Sequence, residues 1–203
     1  METQQSNKQW DEVVSNCKAE FSNAFDKYGN SLAAYDDPID ILSKVFIKLF
    51  RIKSIQVAGK YHVEGENIEK EIPGIINYCI YGVLATKRLL SGTVMPAEKE
   101  ELLAAYDKAS ASIKELFEKK NHDYGEAWRK LSVSYMTKEC LAKYDRMTTV
   151  YSALKFKKDD RLKLEKNFVE VFSDICNYQI FCAIRIFDSC RYQKILQQNS
   201  FRV

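Results

Sequence analysis

The sequence predicts an all-α protein, and three observations predict it. Glycine and proline are scarce, 7 and 3 in 203 residues, so the frequent turns of an all-β chain have no residues to form them. A hydrophobic content of 46%, with 12 Tyr and 11 Phe, is ample for a core of helices packed through aromatic side chains. Finally, the same three landmarks occur twice in the same order, so the expected fold is a helical bundle of two diverged three-helix repeats.

The landmarks of the first half are Lys27-Tyr28-Gly29, Lys48-Leu49-Phe50-Arg51 and Asn77-Tyr78. Those of the second are Asp123-Tyr124-Gly125, Lys143-Tyr144-Asp145-Arg146 and Asn177-Tyr178. Glycine to arginine spans 22 residues in one half and 21 in the other. Arginine to asparagine spans 26 and 31, a difference that one longer loop absorbs. Residues 1–92 therefore read as a first, degenerate repeat and 97–203 as a second, docked on the first as one globular unit.

Each element has a local reason. A first helix over about residues 8–28 stops at Gly29, a natural C-terminal residue. The acidic pair Asp36-Asp37 followed by Pro38 starts a second helix, running to about Ala58 before Gly59. A third covers about Glu66 to Leu90, and Pro73-Gly74 inside it predicts a kink or a late start. Ser91 to Pro96 reads as the linker. The second copy follows with a helix over about 97–120, a loop through Gly125 and Trp128, and helices over about 135–154 and 162–197. Each unit alone carries an apolar face too wide to leave in water, so the two are expected to dock into one bundle.

A net charge of +3 from 31 basic and 28 acidic residues, well mixed, lacks the concentrated stripe that nucleic-acid binding needs. The run Lys155, Lys157, Lys158, ended by Asp159 and Asp160, reads as a solvated loop. The six cysteines (Cys17, Cys79, Cys140, Cys176, Cys182, Cys190) form no CxxC pair and lie mostly in apolar helical stretches, the habit of buried thiols in a reducing compartment. The N-terminus is polar, and no run of about eighteen uncharged apolar residues exists. A cytoplasmic protein without membrane contact is expected.

The second copy holds the more informative polar residues. Glu170, Asp174 and Asn177 recur at i, i+4, i+7 and form one stripe on the last helix. Glu139, Lys143 and Arg146 form an equivalent stripe on the helix before, and antiparallel packing would set both along one cleft. Carboxylates beside cations suit magnesium and a phosphate chain: hard oxygens hold the metal while Lys and Arg neutralise phosphate. A solvated face would carry the same spacing, since the stripe lies away from the apolar arc of Phe168, Val171, Phe172 and Ile175, and Glu139 with Lys143 is a common helix pair. In the segment from Lys119 to Arg129, Tyr124 or Trp128 could stack on a base while Asn121, His122 or Asp123 read its edge; a glycine-stopped helix with Trp128 packed on the core fits equally well. His122 is no metal signal, because the other histidine, His62, is in the other copy. A Gly-rich phosphate loop, GxSxG elbow, HExxH and CxxC are all absent from the sequence.

The strings KNHDYGEAWRKL, LAKYDRM and SDICNYQIF resemble the nucleotide-modification-associated domain family, which is placed with the MazG-like all-α NTP pyrophosphatases. FDKYGNSL, FIKLFRIKSI and IPGIINYCIYGVL resemble the first half of two-copy members, so the resemblance covers about Phe21 to Phe187. It implies an all-helical MazG-like bundle, nucleotide substrates, magnesium held by acids on two helices, and water attack on an α–β phosphate linkage. Carried over by position, Asp174 is the best metal ligand, with Glu170 one turn earlier; Lys143 and Arg146 face phosphate, and Asn177 orients a ligand or holds the helix pair together. MazG-like enzymes carry an EExxE cluster and an acidic pair, whereas the middle helix here offers Glu139, its counterpart from Lys44 to Arg51 offers no acid, and Gly74 stands at the place of Asp174. The first copy reads as structurally retained and chemically empty.

Three functions follow: a nucleotide pyrophosphohydrolase yielding monophosphate and pyrophosphate, a nucleotide-binding protein without catalysis, or a helical structural or interaction protein. The expected ligand is a small nucleotide. Single-copy relatives complete their bundle by dimerising, which a tandem chain can do internally, so a monomer or loose homodimer is expected.

Overall fold

The computed structural model describes residues 2–35, 37–60, 67–155, 157 and 160–200, without the side chains of 2, 3, 90 and 190–200. Asp36, His62, Glu66, Lys158 and Asp159 lie outside the described residues, as do the side chains of Leu90, Cys190 and Gln197. Among the described residues six long helices follow in order: α1 (Glu2–Tyr28), α2 (Pro38–Ala58), α3 (Ile68–Ser91), α4 (Lys99–Tyr124), α5 (Val133–Leu154) and α6 (Arg161–Ser200). Short 3-10 turns at Ser31–Ala34 and Ala127–Lys130 link α1 to α2 and α4 to α5, and the described residues contain no strand.

The helix ends are written in the sequence. Asp37 accepts a hydrogen bond from the Ile39 amide at 3.1 Å with Pro38 in the first turn, and Gly59 closes α2 at φ 65°. Asn67 accepts from the Lys70 amide at 2.9 Å, so α3 starts at Ile68 and keeps Pro73 inside it rather than starting late. Ser132 caps α5 through the Tyr135 amide, and Gly125 ends α4 in the left-handed region. Two helices overrun an expected end by four residues or more. The first begins at Glu2, where Ser6 is fully buried, and α4 continues to Tyr124, because tertiary packing supports turns that local propensity leaves undecided.

The central layer is α3 against α6, the most extensive helix contact in the molecule, with α2 and α5 on one side and α1 and α4 on the other. Covered on both faces, α3 buries Ile72, Ile75, Ile76, Cys79, Ile80 and Val83, and α6 buries Phe168, Phe172, Ile175 and Ile180. Each helix also packs on its counterpart in the other half: α1 on α4, α2 on α5, α3 on α6. That is the self-complementary contact of a two-fold dimer, contained in one chain. Ion pairs register it. Lys18 bonds Asp107 and Lys114 bonds Asp11, each at 2.7 Å, and in both pairs the equivalent residues are 96 positions apart. At the surface such pairs add little stability, but their reciprocity fixes the alignment of the halves.

The cysteines Cys17, Cys79, Cys140, Cys176 and Cys182 are free and buried. Burial pushes the Cys17 and Cys140 thiols up to about 12, so neither is a poised nucleophile. Among the described residues, no helix is long and apolar enough to cross a membrane.

Candidate functional site

Where α4, α5 and α6 meet, a cavity of about 400 Å³ opens to the surface. Its polar centre is Asp174 of α6, 8% exposed. Lys120 of α4 donates to Asp174 Oδ1 and Lys143 of α5 to Oδ2, both at 2.6 Å. Burial alone would raise this carboxyl; the hydrogen bonds from Lys120 and Lys143 outweigh it and hold the group below the ordinary aspartate value, so it stays ionised. One anion between two ammonium groups leaves the cluster with one excess positive charge.

The walls are aromatic: Phe117, Trp128, Tyr178 and Phe181, with Tyr124 at the rim. Trp128 is 6% exposed, stacks on Phe181 at 4.4 Å, and donates its indole N–H to Asn121 Oδ1 at 3.0 Å. The Arg129 guanidinium lies 4.3 Å from the same indole ring. Trp128 is thus a packed wall, and of the two aromatics considered for base stacking Tyr124, 71% exposed, is the free one. Glu126, at φ 59°, secures this corner: Ser6, Asn121 and Arg129 all donate to its carboxylate. Burial would raise that acid too, and the three donors hold it low.

The predicted residues separate here. Lys143, Asp174, Asn177, Asn121 and Tyr124 line the cavity. Arg146 and Glu170 face each other at 3.7 Å across the solvent side of the α5–α6 pair, Glu170 with 56% of its side chain exposed. Asp123 and His122 are exposed and pair with each other at 3.2 Å, away from the lining. Glu139 is half-buried and interacts with Tyr135. The carboxylates of Glu139, Glu170 and Asp174 are therefore not gathered, and no cluster of three potential metal ligands exists among the described residues. The donors as placed do not fit a resident magnesium ion: both oxygens of the buried acid already accept from lysines, and Glu170 turns to Arg146.

Residues that sequence reasoning gave no role complete the site. Lys120 lies four residues before Tyr124 and one before Asn121, a spacing that puts all three on one face of α4. Trp10 of α1, in the other repeat, donates its indole N–H to Asn177 Oδ1 at 3.0 Å. Held by its oxygen, the Asn177 amide keeps its NH₂ unpaired among the described residues, on the cavity lining.

The family profile of nucleotide modification associated domain 1 matches residues 26–85 and 120–186, more than half of the chain. The chain belongs to this family. No curated protein and no solved structure matches it. The two matched segments fall one in each half of the chain, and the halves differ in where the acid stands. Lys48 and Arg51, the counterparts of Lys143 and Arg146, both bond the buried Glu71, at 2.9 and 3.0 Å. Glu71 stands one helical turn before Gly74, the counterpart of Asp174. The Lys48 side chain crosses over Gly74 to reach it: a Cβ on that glycine would meet Lys48 Cε at 2.9 Å. The acid between two cations is kept, displaced by a turn. The asparagines of the two Asn-Tyr pairs are equivalent too, since Tyr106 of α4 donates to Asn77 as Trp10 of α1 donates to Asn177. Each repeat's first helix thus ties down the third helix of the other.

Proposed function

We propose that the cleft of the second repeat binds a nucleotide, its phosphates at Lys120 and Lys143 and its base at Tyr124. The observation that carries this is the Lys120–Asp174–Lys143 cluster inside an aromatic-walled cavity. A phosphate oxygen is a charge-assisted acceptor of the same kind as the Asp174 carboxylate, so an incoming phosphate shares or takes over ammonium groups already oriented by that acid. The excess positive charge favours the exchange, and the unpaired Asn177 NH₂ adds a neutral donor. The volume is within the usual range of small-molecule sites, about 300–1,000 Å³. The family's name, nucleotide modification associated domain 1, agrees in ligand class.

A second reading of the same cleft is pyrophosphohydrolysis in the manner of the MazG-like enzymes, with magnesium arriving on the nucleotide. One observation favours it: Lys143 and Asn177, which the resemblance sets facing phosphate and orienting the ligand, both line the cavity.

One experiment separates these readings from a purely structural role. The full chain is melted with each common nucleoside triphosphate, with and without magnesium, and pyrophosphate release is followed in parallel. Ligand at 100 times its Kd stabilises by about 2.7 kcal/mol, which for a chain of this size raises Tm by roughly 5–10 °C. A rise without pyrophosphate supports binding alone, and a rise with magnesium-dependent release supports hydrolysis. A flat Tm for every nucleotide would defeat both.

A further inference from the structure

The first repeat carries a cleft of its own, about 320 Å³, at the position equivalent to the site just described. Phe21, Phe25, Tyr28, Lys48, Asn77 and Tyr78 line it where Phe117, Asn121, Tyr124, Lys143, Asn177 and Tyr178 line the other. Residues of the first helix correspond at a constant 96 positions and those of the third at 100, so the match is one of register. Tyr28 sits at this rim 72% exposed, against 71% for Tyr124. It makes no hydrogen bond or ring contact among the described residues. A tyrosine left in water contributes little to folding, and a bare aromatic face beside a cavity is what a planar ligand stacks on.

The substitutions between the clefts say what kind of ligand. Ala24 replaces Lys120, Gly74 replaces Asp174, and the lysine that remains, Lys48, is already bound to Glu71. Glu20, an acid, is part of the lining. Asn77 has both ends of its amide engaged, donating to the Cys17 carbonyl and accepting from Tyr106, so it offers no donor comparable to that of Asn177. Phosphate therefore loses its partners here, while the apolar ring site of Phe21, Phe25, Leu32 and the rim tyrosine persists.

We propose that the first-repeat cleft is a second ligand site, one that takes an unphosphorylated nucleoside against Tyr28. The ligand class rests on the nucleotide reading of the second cleft. One chain then holds two related sites, sorted by whether the ligand carries phosphate.

Saturation-transfer NMR on the full chain tests this, with adenosine, guanosine, cytidine and thymidine as probes in turn. The Tyr124→Ala variant silences stacking at the second cleft, and Tyr28→Ala/Tyr124→Ala removes both rim tyrosines. Because both side chains are exposed, neither change threatens the fold, and circular dichroism verifies that. At least one nucleoside is expected to give a signal with Tyr124→Ala that falls by about fivefold or more in the double variant, in line with the loss of one base–aromatic stack. No signal with Tyr124→Ala, or a signal unchanged by adding Tyr28→Ala, overturns the proposal. Failure of the nucleotide reading shows separately, as a flat melting response to triphosphates in the unaltered protein.

Discussion

Replacing Gly82 by valine will destabilise the protein by about 3 kcal/mol or more, at the upper end of what overpacking a well-packed core costs. Gly82 lies inside α3 facing α6, and a Cβ built there meets the Phe172 ring at 2.5 Å. No side chain can retreat to make the room, because Phe172 is fully buried and belongs to the central helix pair. Alanine at the same position gains about 1 kcal/mol of helix propensity over glycine, which offsets part of its own clash, so Gly82→Ala will be milder. For a chain of this length the valine variant should lose roughly 6–12 °C in Tm. Phe172→Leu should recover part of that loss in the double variant, and a thermal double-mutant cycle measures the recovery. Strict additivity would refute the contact. At the positions equivalent by repeat stand Cys182 and Ile72, so the small and large residues of this crossing are distributed differently in the other copy.

The second large effect concerns Asp174. Asp174→Asn leaves two ammonium groups facing a neutral amide, and removing one member of a buried pair is costly. Lys120 retains 45% exposure of its side chain and can turn to water, so the expected cost is about 1–2 kcal/mol rather than the full value for a buried pair. The pH dependence has a definite sign. A carboxyl held below its ordinary 3.8 in the folded state stabilises above that value and loses its contribution as pH falls through the folded pKa. Below about pH 4 the difference between native protein and Asp174→Asn should shrink, as acid melts would show. If Asp174 serves as a stand-in counter-ion, Asp174→Asn will bind triphosphate at least as tightly as the native chain, because phosphate no longer competes with it. A variant that keeps its fold and loses nucleotide affinity would contradict that role.

The fold was legible in the sequence to the extent that its signals are local. Gly29, Gly59, Gly125 and the Asp37-Pro38 pair mark helix ends through their own backbone preferences, and the helices end there. The site was legible where a single helix carries it: Asp174 and Asn177, three residues apart, both reach the cleft. Glu170 shares their side of α6 but lies about 6 Å further down the axis, beside Arg146 and beyond the cavity, and spacing alone does not say where a cavity ends. Lys120 and Trp10 were illegible because their partners, Asp174 and Asn177, are 54 and 167 residues away and are met only through the docking of α4 and α1. Glu71 was missed for a related reason. Aligning the repeats sets Gly74 against Asp174, and only a three-dimensional view shows the Lys48 side chain crossing the glycine to an acid one turn earlier.

The central claim is that the two lysines around Asp174 hold the phosphates of a nucleotide, and a calorimetric titration of a triphosphate into the Lys120→Ala/Lys143→Ala variant tests it most directly. A charge-assisted hydrogen bond contributes about 1.5–3 kcal/mol, so losing both should weaken affinity by about 100-fold or more, while Lys48→Ala in the other cleft leaves it within about twofold. Equal affinity in the native chain and the double-lysine variant, with the fold intact, would contradict the account.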